Sequence, residues 1–113
     1  MNQVEGKVAL VTGGGSGIGE ATCLLLAAAG AAVVVTDINQ VTGEETAETI
    51  KDKGGKAIFL HHDVTSEADW QRICDATLAT YGRLDILVNN AGISGAGLPP
   101  FEEATLASWH KVM

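Results

Sequence analysis

Thr12-Gly13-Gly14-Gly15-Ser16-Gly17-Ile18-Gly19 stands directly after an apolar, β-branched run and directly before a helical pattern. In that position it is a candidate phosphate cradle. The first turn of a helix carries backbone N–H groups with no intrahelical partner and a partial positive charge, and residues without Cβ let a diphosphate approach the backbone. A triphosphate loop would follow GxxxxGK[ST]. Gly14 and Gly19 match its glycines, but Glu20 and Ala21 stand where it needs Lys and Ser or Thr, so no side chain reaches a γ-phosphate. The spacing GxGxxG fails too, because Gly13 and Gly15 are followed by Ile18, and Gly15 and Gly17 by Glu20. TGxxxGIG fits, through Thr12, Gly13, Gly17, Ile18 and Gly19. Asp37 closes the next apolar run, where a carboxylate can accept hydrogen bonds from the hydroxyls of an adenosine ribose.

Two more polar segments keep this rhythm: Asp63-Val64 after a third apolar run and Asn89-Asn90-Ala91-Gly92 after a fourth. With the glycine turn and Asp37 they make four motifs in βα order, and on them the chain resembles the short-chain dehydrogenase/reductase family over nearly its whole length. The resemblance implies an oxidoreductase with a dinucleotide cofactor. It places the pyrophosphate at Gly13, Gly15, Ser16, Gly17, Ile18 and Gly19, the ribose at Asp37 beside Ile38, and the adenine near Asp63 and Val64. Asn90, Ala91 and Gly92 would support the sheet beside the cofactor. No Lys or Arg lies between Lys7 and Lys51 to neutralise a 2′-phosphate, so the expected cofactor is NAD rather than NADP. The stretch from Asp63 to Trp70 is similar to segments of bacterial hydroxysteroid and cyclic-alcohol dehydrogenases. The expected partners are therefore NAD(H) and a small alcohol or ketone.

The elements that must position these residues follow from glycine punctuation. Gly30, Gly54-Gly55 and Gly82 each close a helix-like stretch and precede an apolar run. Strands are predicted at Lys7–Thr12, Ala32–Asp37, Lys56–Leu60 and Leu84–Val88, with helices at Gly17–Ala29, Asn39–Lys53 and after Ser66. On the first helix Ile18, Thr22, Leu25, Leu26 and Ala29 share one face. Ser66 with Asp69 reads as a capping box. On the third helix Trp70, Ile73, Cys74, Thr77, Leu78 and Tyr81 recur at helical spacing, which marks Trp70 and Tyr81 as core. A final helix is expected from Glu102. Short connections make right-handed parallel crossovers the default, so the fold class is α/β: a Rossmann-like, doubly wound parallel sheet of order 3-2-1-4 in a single domain, 1–113. The fourth strand is expected to be an open edge with Leu87 uncovered, inviting self-association.

The chemistry the family performs is not complete in these residues. It passes a proton through a Tyr whose pKa is lowered by a Lys in YxxxK, and a Ser holds the substrate oxygen. The only tyrosine is Tyr81, and Asp85 stands where the Lys would be. No catalytic residue is assigned, and the chain is expected to stop before the family's catalytic half, close to the segment Trp109–Met113. Two alternatives stand beside the enzyme reading: a non-catalytic cofactor-binding half-fold, and a methyltransferase using Gly13, Gly15, Gly17 and Asp37. The latter lacks the acidic residue usual before its glycine loop and leaves the Asn-Asn-Ala-Gly segment unexplained.

Composition narrows the partners. The chain has 113 residues, 46% hydrophobic, with 14 acidic against 7 basic residues and a net charge of −7. Nucleic acid and anionic membrane surfaces both need clustered cations, which are absent. The apolar run from Cys23 to Val35 is short of a spanning helix and is broken by Gly30. Cys23 and Cys74 suggest no disulfide framework, and a reducing cytoplasm is the expected compartment. His61 and His62 point to opposite faces of an extended segment, and no Cys or third His completes a ligand set, so no metal is expected.

Overall fold

The apolar runs form strands β1 (Val8–Thr12), β2 (Ala32–Asp37), β3 (Lys56–His61) and β4 (Ile86–Asn89) in the computed structural model, which describes residues 4–90. Between them lie α1 (Gly17–Ala28), α2 (Gln40–Asp52) and α3 (Glu67–Tyr81). All pairings are parallel, and the sheet order is β3-β2-β1-β4. This is the predicted order. Ala91 and Gly92, the helix expected from Glu102 and the Trp109–Met113 segment lie outside the described residues.

Each strand alternates its side chains between two apolar layers, as a sheet covered on both faces requires. Leu10, Val34 and Leu87 pack with Ile73 of α3, joined by half-buried Trp70 and Tyr81. Val11, Val33 and Val35 pack with Cys23 of α1 and Ala47 and Ile50 of α2.

The structure departs from the sequence expectation at α1 and at Leu87. The buried face of α1 carries Gly19 and Cys23, with Leu26 and Ala27 packed beside them, whereas Ile18 is 70% and Leu25 72% exposed. Close approach of the helix backbone to the glycine turn at Gly19 sets that face, and Leu24, Leu26 and Ala27 follow it toward the core. Leu87 is only 2% exposed, because its side chain lies on the face that α3 covers. Ile86 and Val88, on the other face of β4, are the half-buried ones.

The capping box is also only half formed. Ser66 Oγ accepts from the Asp69 N–H at 3.1 Å, but the Asp69 carboxylate accepts from the Asp63 N–H at 2.8 Å rather than from Ser66. The Ser66 N–H bonds to the Asp63 carbonyl instead. The α3 cap thereby holds the segment that leaves β3.

At the opposite end of the sheet, buried Asp85 locks β4 to β1. Its Oδ2 accepts from the Val8 N–H at 2.8 Å, and its Oδ1 accepts from Arg83 at 2.8 and 3.1 Å. Burial alone would raise the carboxyl pKa; the Arg83 and Val8 bonds and the charges of Arg83 and Lys7 outweigh it and hold the group below the usual carboxylate range. Asp85→Ala leaves a buried N–H without its acceptor and is expected to cost about 2 kcal/mol in denaturant unfolding. A folded pKa below the unfolded one means this stabilisation is present above about pH 4 and disappears as pH falls through the folded value. The wild type should lose its advantage over Asp85→Ala in that range.

Candidate functional site

Thr12, Asp37, His61 and Asn89 end their strands at one edge of the sheet, and the loops that follow gather there. In an open α/β sheet this carboxyl edge is where ligands bind. The glycine turn occupies its centre, after β1. Gly13 and Gly17 take positive φ values of 63° and 59°, which L side chains adopt only with strain. Gly19 makes the closest approach: a Cβ there would lie 1.9 Å from the Gly13 carbonyl oxygen. A Cβ on Gly14 would meet Val35 at 2.8 Å and Cys23 Sγ at 3.0 Å. The turn is thus packed from beneath, while Ser16, Gly17 and Ile18 are exposed above.

The three helix amino termini differ. Asn39 caps α2 through the Thr42 N–H at 3.1 Å, and Ser66 caps α3. Ser16 stands at the α1 cap with extended backbone but makes no side-chain cap bond. The first-turn N–H groups of α1 are left for another acceptor, beside the glycines that give a diphosphate access.

Asp37 is half-buried at the end of β2, next to that turn. Its Oδ2 accepts from the Gly15 N–H at 2.8 Å and its Oδ1 from the Asn39 N–H at 2.8 Å. Ile38 follows it, 64% exposed. Asp63 Oδ1 is held by the Thr65 N–H at 3.0 Å and the Thr65 hydroxyl at 2.6 Å, and these bonds lower the Asp63 pKa. Val64 follows, and its carbonyl accepts from Trp70 Nε1 at 3.0 Å. Asn90 Nδ2 donates to the Gly13 carbonyl at 3.4 Å, tying the end of β4 to the glycine turn. The structure therefore gathers Gly13 to Gly19, Asp37, Ile38, Asp63, Val64 and Asn90 along one edge. Ala91 and Gly92 fall outside the described residues.

Tyr81 lies elsewhere. It ends α3, whose carboxyl terminus leads back to the amino ends of the strands, and it packs on the layer containing Val8 and Leu84. Burial raises its pKa, the reverse of what a proton-passing tyrosine needs.

Beneath the site runs a polar row that sequence reasoning missed. The Thr12 hydroxyl donates to Asn89 Oδ1 at 3.1 Å, the Thr36 hydroxyl to the Val11 carbonyl at 3.2 Å, and His62 Nδ1 lies 3.1 Å from Thr36 Oγ1. The threonines stand two residues beyond Leu10 and Val34 on their strands, so strand alternation places them on the α3 face. Since Thr36 spends its one proton on Val11, His62 donates through Nδ1, and its buried Nε2 has no hydrogen-bond partner among the described residues. The ring meets Trp70 edge-on at 4.4 Å. Burial is the main cause that lowers the His62 pKa; Asp69 opposes it and Arg72 adds to it. The unfolded chain therefore takes up a proton, near the ordinary value of about 6.5, that the folded chain resists, and stability should fall as pH drops below that value. A His62→Leu variant should show a shallower loss between about pH 7.5 and 5.5 in urea titrations; an equal loss would contradict this.

Among the described residues no group of three His, Cys, Asp or Glu side chains could hold a metal ion, and no helix is long and apolar enough to cross a membrane.

Comparison with known proteins adds identity to this geometry. The family model described as short chain dehydrogenase matches residues 7–113. Cyclopentanol dehydrogenase of a Comamonas species is 45% identical over 112 residues, covering 99% of this chain and 44% of the relative. 3-beta-Hydroxysteroid dehydrogenase of Comamonas testosteroni is 47% identical over 92 residues, covering 81% of this chain and 35% of the relative. The crystal structure of a hydroxysteroid dehydrogenase from Escherichia coli superimposes with a TM-score of 0.80 at 34% identity, over 94% of this chain and 51% of that one. The chain thus spans less than half the length of these two curated relatives. On the family match, the sheet order and the glycine turn, this chain belongs to the short-chain dehydrogenase family.

Proposed function

We propose that this chain is the NAD-binding part of an oxidoreductase that interconverts an alcohol and a ketone. The family implies a dinucleotide cofactor, NAD(P), and the observation that carries the finer reading is the pairing of an uncapped α1 amino terminus with Asp37 at the same sheet edge. The glycines of the turn fit the diphosphate, since Gly17 has open space around it. Gly13, Gly15, Ser16, Gly17, Ile18 and Gly19 would hold the pyrophosphate. Asp37 would accept from the ribose hydroxyls, with Ile38, Asp63 and Val64 around the adenine and Asn90, Ala91 and Gly92 further along the cofactor. When bound, the nicotinamide supplies the acceptor or donor of the hydride. The chain's own residues bind and orient, and none is assigned a proton-transfer role.

Two things support the substrate class. The relatives named cyclopentanol dehydrogenase and 3-beta-hydroxysteroid dehydrogenase act, by their names, on hydroxyls of ring carbons. The Asp63–Trp70 stretch resembles such enzymes in sequence. NAD is favoured over NADP because no basic side chain occupies the turn or position 38. Titration of the chain with NADH and NADPH, followed by Trp fluorescence, tests the cofactor reading. NADH should bind at least about tenfold more tightly, a difference of about 1.4 kcal/mol; equal affinities would refute it.

A further inference from the structure

We infer that Gly15 is a positioning residue for cofactor selection: its missing side chain, in a space that Thr42 Oγ1 already closes on one side, leaves the Asp37 carboxylate where the Gly15 and Asn39 N–H groups hold it. The inference rests on the cofactor reading above, with Asp37 as the selector.

Three elements converge on one point. A Cβ built on Gly15 would lie 2.4 Å from Thr42 Oγ1, 2.9 Å from Asp37 Oδ2 and 3.0 Å from the Gly43 nitrogen. Gly15 has no positive φ, so its backbone would accept an L side chain and only the lack of space forbids one. That space is defined by the first turn of α2, which cannot easily retreat. Gly43 sits against the Phe59 ring, where a Cβ would meet Phe59 Cε1 at 2.1 Å, and Asn39 Oδ1 holds the Thr42 N–H. The seat of α2 on β3 thus fixes the Thr42 backbone, and the hydroxyl donates to the Asn39 carbonyl at 3.5 Å.

Asp37 is caught in the same knot. The Gly15 N–H holds one carboxylate oxygen and the Asn39 N–H the other, both at 2.8 Å. Each donor belongs to a different loop, so the carboxylate stays in place only while the glycine turn and the α2 amino terminus keep their spacing. Each oxygen retains a lone pair for a ribose hydroxyl. A methyl group at position 15 must displace either Thr42 Oγ1 or Asp37 Oδ2. With the hydroxyl bonded to the Asn39 carbonyl, the carboxylate gives way, and removal of the hydroxyl lets the methyl move off Oδ2.

The test compares Gly15→Ala, Thr42→Ala and the double variant of the 113-residue chain by two readouts, in both of which Thr42→Ala alone should match the wild type. In the free protein, the Asn39 amide proton resonance reports its carboxylate acceptor. It should move in Gly15→Ala and return toward the wild-type position in Gly15→Ala/Thr42→Ala. In titrations, the preference for NADH over NADPH should fall from at least about tenfold to within about threefold in Gly15→Ala and recover in the double variant. Loss of stability alone would not be rescued by removing a second side chain. An Asn39 resonance that stays in place in Gly15→Ala, or a double variant with no recovery, would overturn the inference. If Gly15→Ala does not fold, a folded double variant supports the same contact, and failure of both overturns it. A chain that binds neither cofactor refutes the cofactor reading, and the Asn39 resonance still decides the positioning claim.

Discussion

Replacing Gly19 by Ala is expected to cost at least about 3 kcal/mol of stability, beyond the middle of the range for overpacked sites. The new methyl would lie 1.9 Å from the Gly13 carbonyl oxygen, 2.7 Å from the Gly13 carbonyl carbon and 2.7 Å from Asn90 Nδ2. Two of these atoms are backbone, and one turn further along α1 Cys23 is fully buried against the sheet, so the helix cannot move away cheaply. At about 4–8 °C per kcal/mol for a domain near this size, the melting temperature should drop by roughly 10 °C or more. Gly17→Ala is the matched control. Its φ of 59° costs an L residue about 1–2 kcal/mol, but nothing lies within 4 Å of the added atom. Calorimetry on the two variants separates collision from strain. Equal melting temperatures would mean that α1 does not approach the turn as closely as described.

Asp37→Ala is expected to weaken NADH binding by at least about tenfold while leaving NADPH binding unchanged or tighter. A carboxylate accepting from ribose hydroxyls contributes about 1.5–3 kcal/mol per bond. A 2′-phosphate removes one of those donors and sets negative charge against the carboxylate, and no Lys or Arg between Lys7 and Lys51 offsets it. The preference for NADH should therefore collapse to within about threefold in the variant. Folding should be little affected, because the Gly15 and Asn39 N–H groups that lose their acceptor lie in part-buried or exposed surroundings. A preserved preference in Asp37→Ala would remove Asp37 from the selecting role.

The sheet order and the placement of the motifs were legible in the sequence because both follow from local signals. Glycines after each helix, continuous apolar runs and short connections leave one parallel arrangement, and Thr12, Asp37 and Asn89 fall at strand ends by their position in those runs. The contact face of α1 was not legible. Ile18 and Leu25 are as apolar as Leu24 and Leu26, yet they face solvent while Gly19 and Cys23 meet the sheet, since the decisive quantity is how near two backbones come. Leu87 illustrates the same limit: its strand is at the sheet's edge, but burial depends on α3 lying over that face. Asn39 and Thr42 carry no motif of their own. Their importance arises from a meeting of the β1–α1 turn with the start of α2, set by Gly43 against Phe59, and no spacing within one segment encodes it.

A dinucleotide lying along the carboxyl edge of this sheet would show itself in a residue-resolved NMR titration of the labelled chain with NADH. Amide shifts are predicted for Gly13, Gly15, Gly17, Ile18, Gly19, Ile38, Val64 and Asn90, with the largest in the first turn of α1. The opposite end of the molecule, where Leu24, Ala27, Ile50 and Gly55 line a small apolar groove, should stay silent. Shifts centred on that groove, or saturating NADH with no change from Gly13 to Gly19, would contradict the account.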